Sequence, residues 1–180
     1  MLPQSRRLEC PGRAFHCCLV LCLFGLLSPI GLLGQDSERE RKSLEGLSGV
    51  VVVVSSDQVV EDAGYRQARM RTDVELRLRE SGIRVLSPGE GLAAEEGYPV
   101  LRVRLGAFQN GPSMTYIVHS ELRQYVILIR DSELGLVQAA TWSTTTYGIT
   151  GWDRSRESMS EAVRDVVEVF INAYLSVNPH

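Results

Sequence analysis

Cysteine is missing from most of this chain. All four cysteines, Cys10, Cys17, Cys18 and Cys22, lie in the first 22 of 180 residues. Everything after them lacks a disulfide, a thiolate nucleophile and a sulfur-ligated metal. Histidine is almost as scarce: His16 and His180 lie towards the two ends, and His119 stands alone in a strand-like stretch. A paired-His zinc site cannot be built from these, and a His-centred triad has no base with a nearby orienting partner. There is no basic excess either. The 19 Lys and Arg against 22 Asp and Glu give a net charge of −3, which argues against nucleic acid as a partner. Proline is sparse at 7 residues, and 44% hydrophobic with 23% charged residues excludes collagen, a proline-rich linker or a disordered acidic tail. No G-x-S-x-G elbow, G-x-x-x-x-G-K loop or G-x-G-x-x-G fingerprint occurs.

What is present begins with a leader. Arg6, Arg7 and Arg13, opposed only by Glu9, precede an apolar run from Cys17 to Leu33 that ends in small residues. This is the pattern of a secretory signal peptide over residues 1–34, with cleavage expected after Gly34. The alternative is an uncleaved anchor. The 18 residues from Cys17 to Gly34 are at the short end for a bilayer of about 30 Å, and Pro29, Gly25 and Gly31 weaken a helix there. A lipoprotein signal fits less well, because Leu21 precedes Cys22. The remainder, 146 residues with 16 basic and 21 acidic side chains, is long enough for one core. Membrane contact is expected only if residues 17–34 are retained. Residues 35–47 alternate in charge and read as a solvated tether, leaving residues 48–180 as a single domain.

The domain opens with five valines, Val50 to Val54, ahead of Ser55-Ser56-Asp57. Apolar on both faces, they predict a strand inside a sheet covered on both sides. From Glu61 to Glu80, Ala63, Gln67, Met70, Val74 and Leu78 mark one face of a helix with one polar interruption, ended by Ser81-Gly82. Ile83–Leu86 reads as a second, parallel strand reached by a right-handed crossover. Three longer stretches follow: Val100–Gln109, Thr115–Asp131 and Leu136–Tyr147. Their alternation and the turn clusters between them predict an antiparallel meander, with one face wet at Arg102, Arg104, Glu121 and Arg123 and opposite charges facing across the strands. From Asp153 to Val177, Met159, Val163, Val166, Phe170, Ala173 and Val177 step by 4, 3, 4, 3 and 4, the stripe of a helix docked on that sheet. The expected fold is α+β, a two-layer sandwich: strand-helix-strand, then the three-stranded meander, then a long C-terminal helix.

The stretches LRLRESGIRVL, PVLRVRLGAF, ELRQYVILIRD, AATWSTTTYGITG and FINAYLSVNP, between Leu76 and Pro179, resemble those of a family of uncharacterised exported bacterial proteins. The resemblance implies bacterial export, to the periplasm or beyond, and brings no catalytic residues with it. More loosely, the order of elements is similar to small periplasmic α/β accessory domains of the curli-secretion and penicillin-binding-protein-activator type.

Two places carry functional interest. Asp57, with Ser55 and Ser56, lies at the carboxyl end of the valine strand, where open α/β sheets place ligands; a helix cap is the competing role for Ser56 or Asp57. The segment Thr141–Trp152 holds Trp142, Tyr147 and Trp152 among hydroxyls and glycines, a composition that suits a glycan or peptide groove. Against it, Trp142 mid-strand is expected in the core, while Trp152 leans towards exposure. His119 reads as a surface strand residue. The adjacent pairs Glu61-Asp62 and Glu95-Glu96 read as solvated charge, since a hydrolase pair must converge from separate elements. No catalytic residue, metal or cofactor is expected. The leading expectation is a non-catalytic exported accessory domain that contacts another envelope protein. A glycan- or peptide-binding module comes second, and a hydrolase working with carboxylates alone a remote third.

Overall fold

The computed structural model describes residues 37–94 and 97–179; the leader, Glu95 and Glu96 lie outside them. Four strands, β1 (Val51–Ser56), β2 (Val100–Asn110), β3 (Ser113–Ile127) and β4 (Leu136–Gly151), form one sheet in the order β1-β2-β3-β4. β1 runs parallel to β2, and β2, β3 and β4 make the antiparallel meander. Among the described residues, five α-helices accompany them: α1 (Glu38–Lys42), α2 (Gln58–Asp62), α3 (Gln67–Glu80), α4 (Pro88–Ala93) and α5 (Ser155–Val177). The architecture is the α+β arrangement read from the sequence.

The core lies between one face of the sheet and the helices α3 and α5. Alternation turns Val52, Val54, Leu101, Val103, Leu105, Met114, Val118, Leu122 and Trp142 inward, where they meet Met70, Val74 and Leu78 of α3 and the stripe of α5. The α5 stripe is buried at Met159, Val163, Val166, Phe170 and Ala173 and partly buried at Val177. Its end is tied down: the Asn178 amide donates to Leu44 O (2.8 Å) and Tyr174 O (3.0 Å) and accepts from Gly46 N (2.8 Å).

Four local expectations change. Residues 37–47 of the charged tether belong to the folded domain. Ser37 and Glu40 close a capping box on α1, and Leu44 and Leu47 just after it are buried in the core, so the packed domain begins before residue 48. The strand expected at Ile83–Leu86 shrinks to one parallel bridge, Val50 to Val85, because the turn into α4 carries the chain away. The helix expected over 61–80 is two helices. Gly64, at φ +83°, takes the left-handed conformation that favours glycine, and α3 starts afresh at Gln67. The single polar interruption in that stripe then has a reason: Gln67 donates to Val54 O on β1 at 2.9 Å. Finally, β4 runs on through Gly151, so the segment after Tyr147 is strand rather than turn.

Candidate interaction face

Among the described residues, helices cover one side of the sheet and leave most of the other bare. On the outer side, among the described residues, the starts of β1 and β2 are roofed, with Val51, Leu86 and Val100 buried together. There α4 brings Gly91 against Val51 and Tyr98, and Tyr98 stacks on Tyr125 with ring centroids 5.9 Å apart. The valine run is therefore covered on both sides at Val51 but not at Val53, which is exposed.

The middle of the bare face is polar. Register places Arg102 opposite Glu121, which is opposite Ser143, and places Arg104, His119 and Thr145 in the next row. Glu121 is buried: the guanidiniums of Arg123 and Arg102 approach it at 3.4 Å and 3.9 Å, and His119 Nε2 lies 3.7 Å away. His119 Nδ1 shares a 2.8 Å hydrogen bond with the Thr145 hydroxyl. The cross-strand charge pairing read from the sequence is thus present. With three arginines and one carboxylate, the band carries positive charge when His119 is neutral.

Beyond this band the face turns apolar. Ile117 is opposite Tyr147, and Thr115 lies between Phe108 and Ile149 in the neighbouring row. Phe108, Ile117, Tyr147 and Ile149 are 68%, 50%, 66% and 75% exposed, on the face of the sheet opposite the core. Adjacent strands lie about 4.8 Å apart and same-face neighbours in one strand about 7 Å, so these four form one continuous patch. A contiguous exposed apolar patch of this kind is a candidate interaction surface.

The residues singled out from the sequence do not converge. Trp142 is 1% exposed and meets Phe170 edge-on at 5.2 Å; it is a core residue. Tyr147 is five positions further along the same strand and therefore on the opposite face, so the two cannot line one groove. Trp152, in a 3₁₀ turn after β4, is half-buried and packs on the core rather than standing clear. Asp57 occupies the N-cap position of α2, yet its side chain makes no capping bond. Its Oδ2 instead accepts from Ala107 N at 3.3 Å, satisfying an N–H of β2 beyond the end of β1. Gly106 permits that approach, since a Cβ there would lie 3.0 Å from the same oxygen. Ser56 does not cap either: its hydroxyl donates to Glu61 at 2.8 Å.

Glu61 itself is not solvated charge. Its carboxylate also accepts from Gln67 N at 2.8 Å, joining the end of β1 to the start of α3. Asp62 accepts from Gln58 at 2.8 Å, and Glu95 and Glu96 lie outside the described residues. Among the described residues, no group of three His, Cys, Asp or Glu side chains is placed to hold a metal ion. The exposed Phe108 and Ile117 escaped the sequence reading. Their signal was the wet row Arg102, Arg104, Gly106 continuing by alternation onto an aromatic.

No family model matches the chain, and no curated protein matches it. Among solved structures, it is similar to a PelC dodecamer from Paraburkholderia phytofirmans at 18% identity and a TM-score of 0.41, over 72% of this chain and 92% of that one. The likeness is slight and does not bear on function.

Proposed function

We propose that this chain is a non-catalytic exported binding domain that works in the cell envelope by pressing the bare face of its sheet against another protein. The observation that carries this reading is the exposed patch of Phe108, Ile117, Tyr147 and Ile149 beside a band of three arginines. Burying such side chains stabilises a complex by roughly 25 cal/mol per Å² of apolar area, offset by the cost of association. The positive band selects a partner whose apolar contact is flanked by acidic side chains. A glycan or peptide groove along residues 142–152 has less support, because only Tyr147 of its three aromatics faces outward.

The test is capture from an envelope fraction by the wild type and by a Phe108→Ser, Ile149→Ser double variant. Both substitutions lie outside the core, so folding stability should change by no more than about 0.5 kcal/mol each. The double variant should lose the captured protein, and soluble glycans should not compete. Equal capture by both proteins, or release by glycan, would overturn the reading.

A further inference from the structure

At the other end of the sheet from the patch, the hairpin of β3 and β4 carries a second group of exposed apolar side chains. β2 pairs with β3 no further than Arg123, while β3 and β4 stay paired to Ile127 and Leu136. Tyr125 still has neighbours, through its N–H to Gly97 O at 2.7 Å and its ring on Tyr98. Past it, among the described residues, the two strands run on without a third. Ile127 and Leu136 are directly opposite each other and 60% and 64% exposed; Leu134 is 59% exposed and Ile129 fully so. Val126 and Val137, opposite each other on the other face, are half-buried and join neither core cluster. A two-stranded ribbon that is apolar on both faces has little stability of its own in water and marks a contact surface.

The turn of this hairpin is acidic. Between Ile129 and Leu134 stand Arg130, Asp131 and Glu133, all exposed. Asp131 accepts from Leu134 N at 3.3 Å, whereas Glu133 has no ionic partner among the described residues. Charge of the opposite sign is free beside the patch. Arg102 and Arg123 are drawn to Glu121, but Arg104 is exposed and its side chain has no partner among the described residues. Alternation puts Arg104 on the same face as Gly106 and Phe108, at the border of the patch. Asp57 stands nearby over Gly106, its Oδ2 on Ala107 N rather than on Arg104. Asp153, against Gly151, lies at the far end of the patch.

We propose that the patch of Phe108, Ile117, Tyr147 and Ile149 receives the β3–β4 hairpin of a second copy of this chain, with Ile129 and Leu134 on the patch and Glu133 beside Arg104. This rests on the reading of the bare face as a protein-binding surface and names an occupant for it. Ile117 and Ile127 are ten residues apart on one strand, about 33 Å, so a single chain cannot bring its own hairpin and patch together. Stacking two bare faces about a two-fold axis would set one arginine band against the other, which like charge disfavours. The contact is therefore head to tail: each copy gives its hairpin to one neighbour and its face to the next.

Sedimentation of the purified protein should show association beyond a dimer, with a Kd in the micromolar range expected of a small interface. Two double variants test the two sides, Ile129→Ser with Leu134→Ser on the hairpin and Phe108→Ser with Ile149→Ser on the face. Each should be a monomer with an unchanged melting curve, since all four side chains are exposed. Their equimolar mixture should form a one-to-one heterodimer and nothing larger, because it holds one intact hairpin for one intact face. Glu133→Lys and Arg104→Glu should each weaken association about threefold or more, and the two in one chain should restore it. A wild type still monomeric at about 500 µM, far above a micromolar Kd, would overturn the proposal. So would association that survives either double variant, variants that fail to complement each other, or a charge swap no better than its single changes. Capture from the envelope fraction keeps the two readings apart. A monomeric wild type that captures a protein through its face, with the hairpin variant capturing equally, removes this inference and leaves the binding face standing. Capture lost in the hairpin variant of a monomeric protein gives the hairpin to a different partner, and again overturns the proposal.

Discussion

Phe170 on α5 sits where the two layers meet. It is fully buried, its ring edge-on to Trp142 at 5.2 Å and 69° and tilted against Tyr174 at 6.1 Å and 47°. Truncating a buried phenylalanine to alanine costs about 3–5 kcal/mol, through lost transfer energy and the cavity left behind. A domain of this size has a total stability of about 5–15 kcal/mol, so Phe170→Ala should still fold but with much of its margin gone. With a urea m-value of about 2 kcal/mol/M, the midpoint should fall by about 2 M at unchanged slope. Melting should drop by roughly 6–20 °C. A milder cycle isolates the ring pair: Phe170→Leu and Trp142→Leu, alone and together, should show a coupling of about 0.5–1.5 kcal/mol. A loss below about 1 kcal/mol for Phe170→Ala, the ordinary cost of an unremarkable substitution, would mean that the apolar stripe of α5 faces something other than the sheet.

Two further changes probe places where packing and charge are tight. In Gly91→Ala the new Cβ would sit 2.9 Å from a Tyr98 ring carbon and closer still to Val51. The variant should therefore lose about 1–3 kcal/mol in urea unfolding despite alanine's better helix propensity; no loss would mean that α4 does not roof the sheet. Glu75 is held below its ordinary pKa of 4.5, chiefly by the Arg71 hydrogen bond and also by Arg79, against burial that acts the other way. Its folded pKa is the lower one, so its stabilising contribution is present above about pH 4.5 and is lost as pH falls through the lowered value. The stability gap between wild type and Glu75→Gln should be wide near pH 7 and shrink towards about pH 3; an equal gap at both would refute that coupling.

How much of this was legible from residues alone depends on how local each cause is. The α5 stripe was readable because spacing by three and four places side chains on one helical face whatever the neighbours are. The meander was readable because alternation and turn clusters act over a few residues. The break at Gly64 was not. The stripe Ala63, Gln67, Met70 keeps helical spacing across it, and only the bonds from Ser56 and Gln67 to Glu61 show why the chain turns there. The Asp57 carboxylate was placed at the right end of β1 but given the wrong partner, because Ala107 is fifty residues away and its N–H becomes an orphan only once β1 stops short of β2.

The candidate face divides in the same way. Composition and alternation were enough to determine an α+β fold, a wet strand row with its charges, and Trp142 in the core. Which outward residues become neighbours depends on register, and register is set by pairing between strands rather than by any one of them. Phe108, Ile117, Tyr147 and Ile149 come from three strands and form one patch only because Ile117 is opposite Tyr147 and Thr115 lies between Phe108 and Ile149. Short-range periodicity specified the elements. Which polar groups are left without partners, and which apolar ones without cover, was decided only when the layers came together.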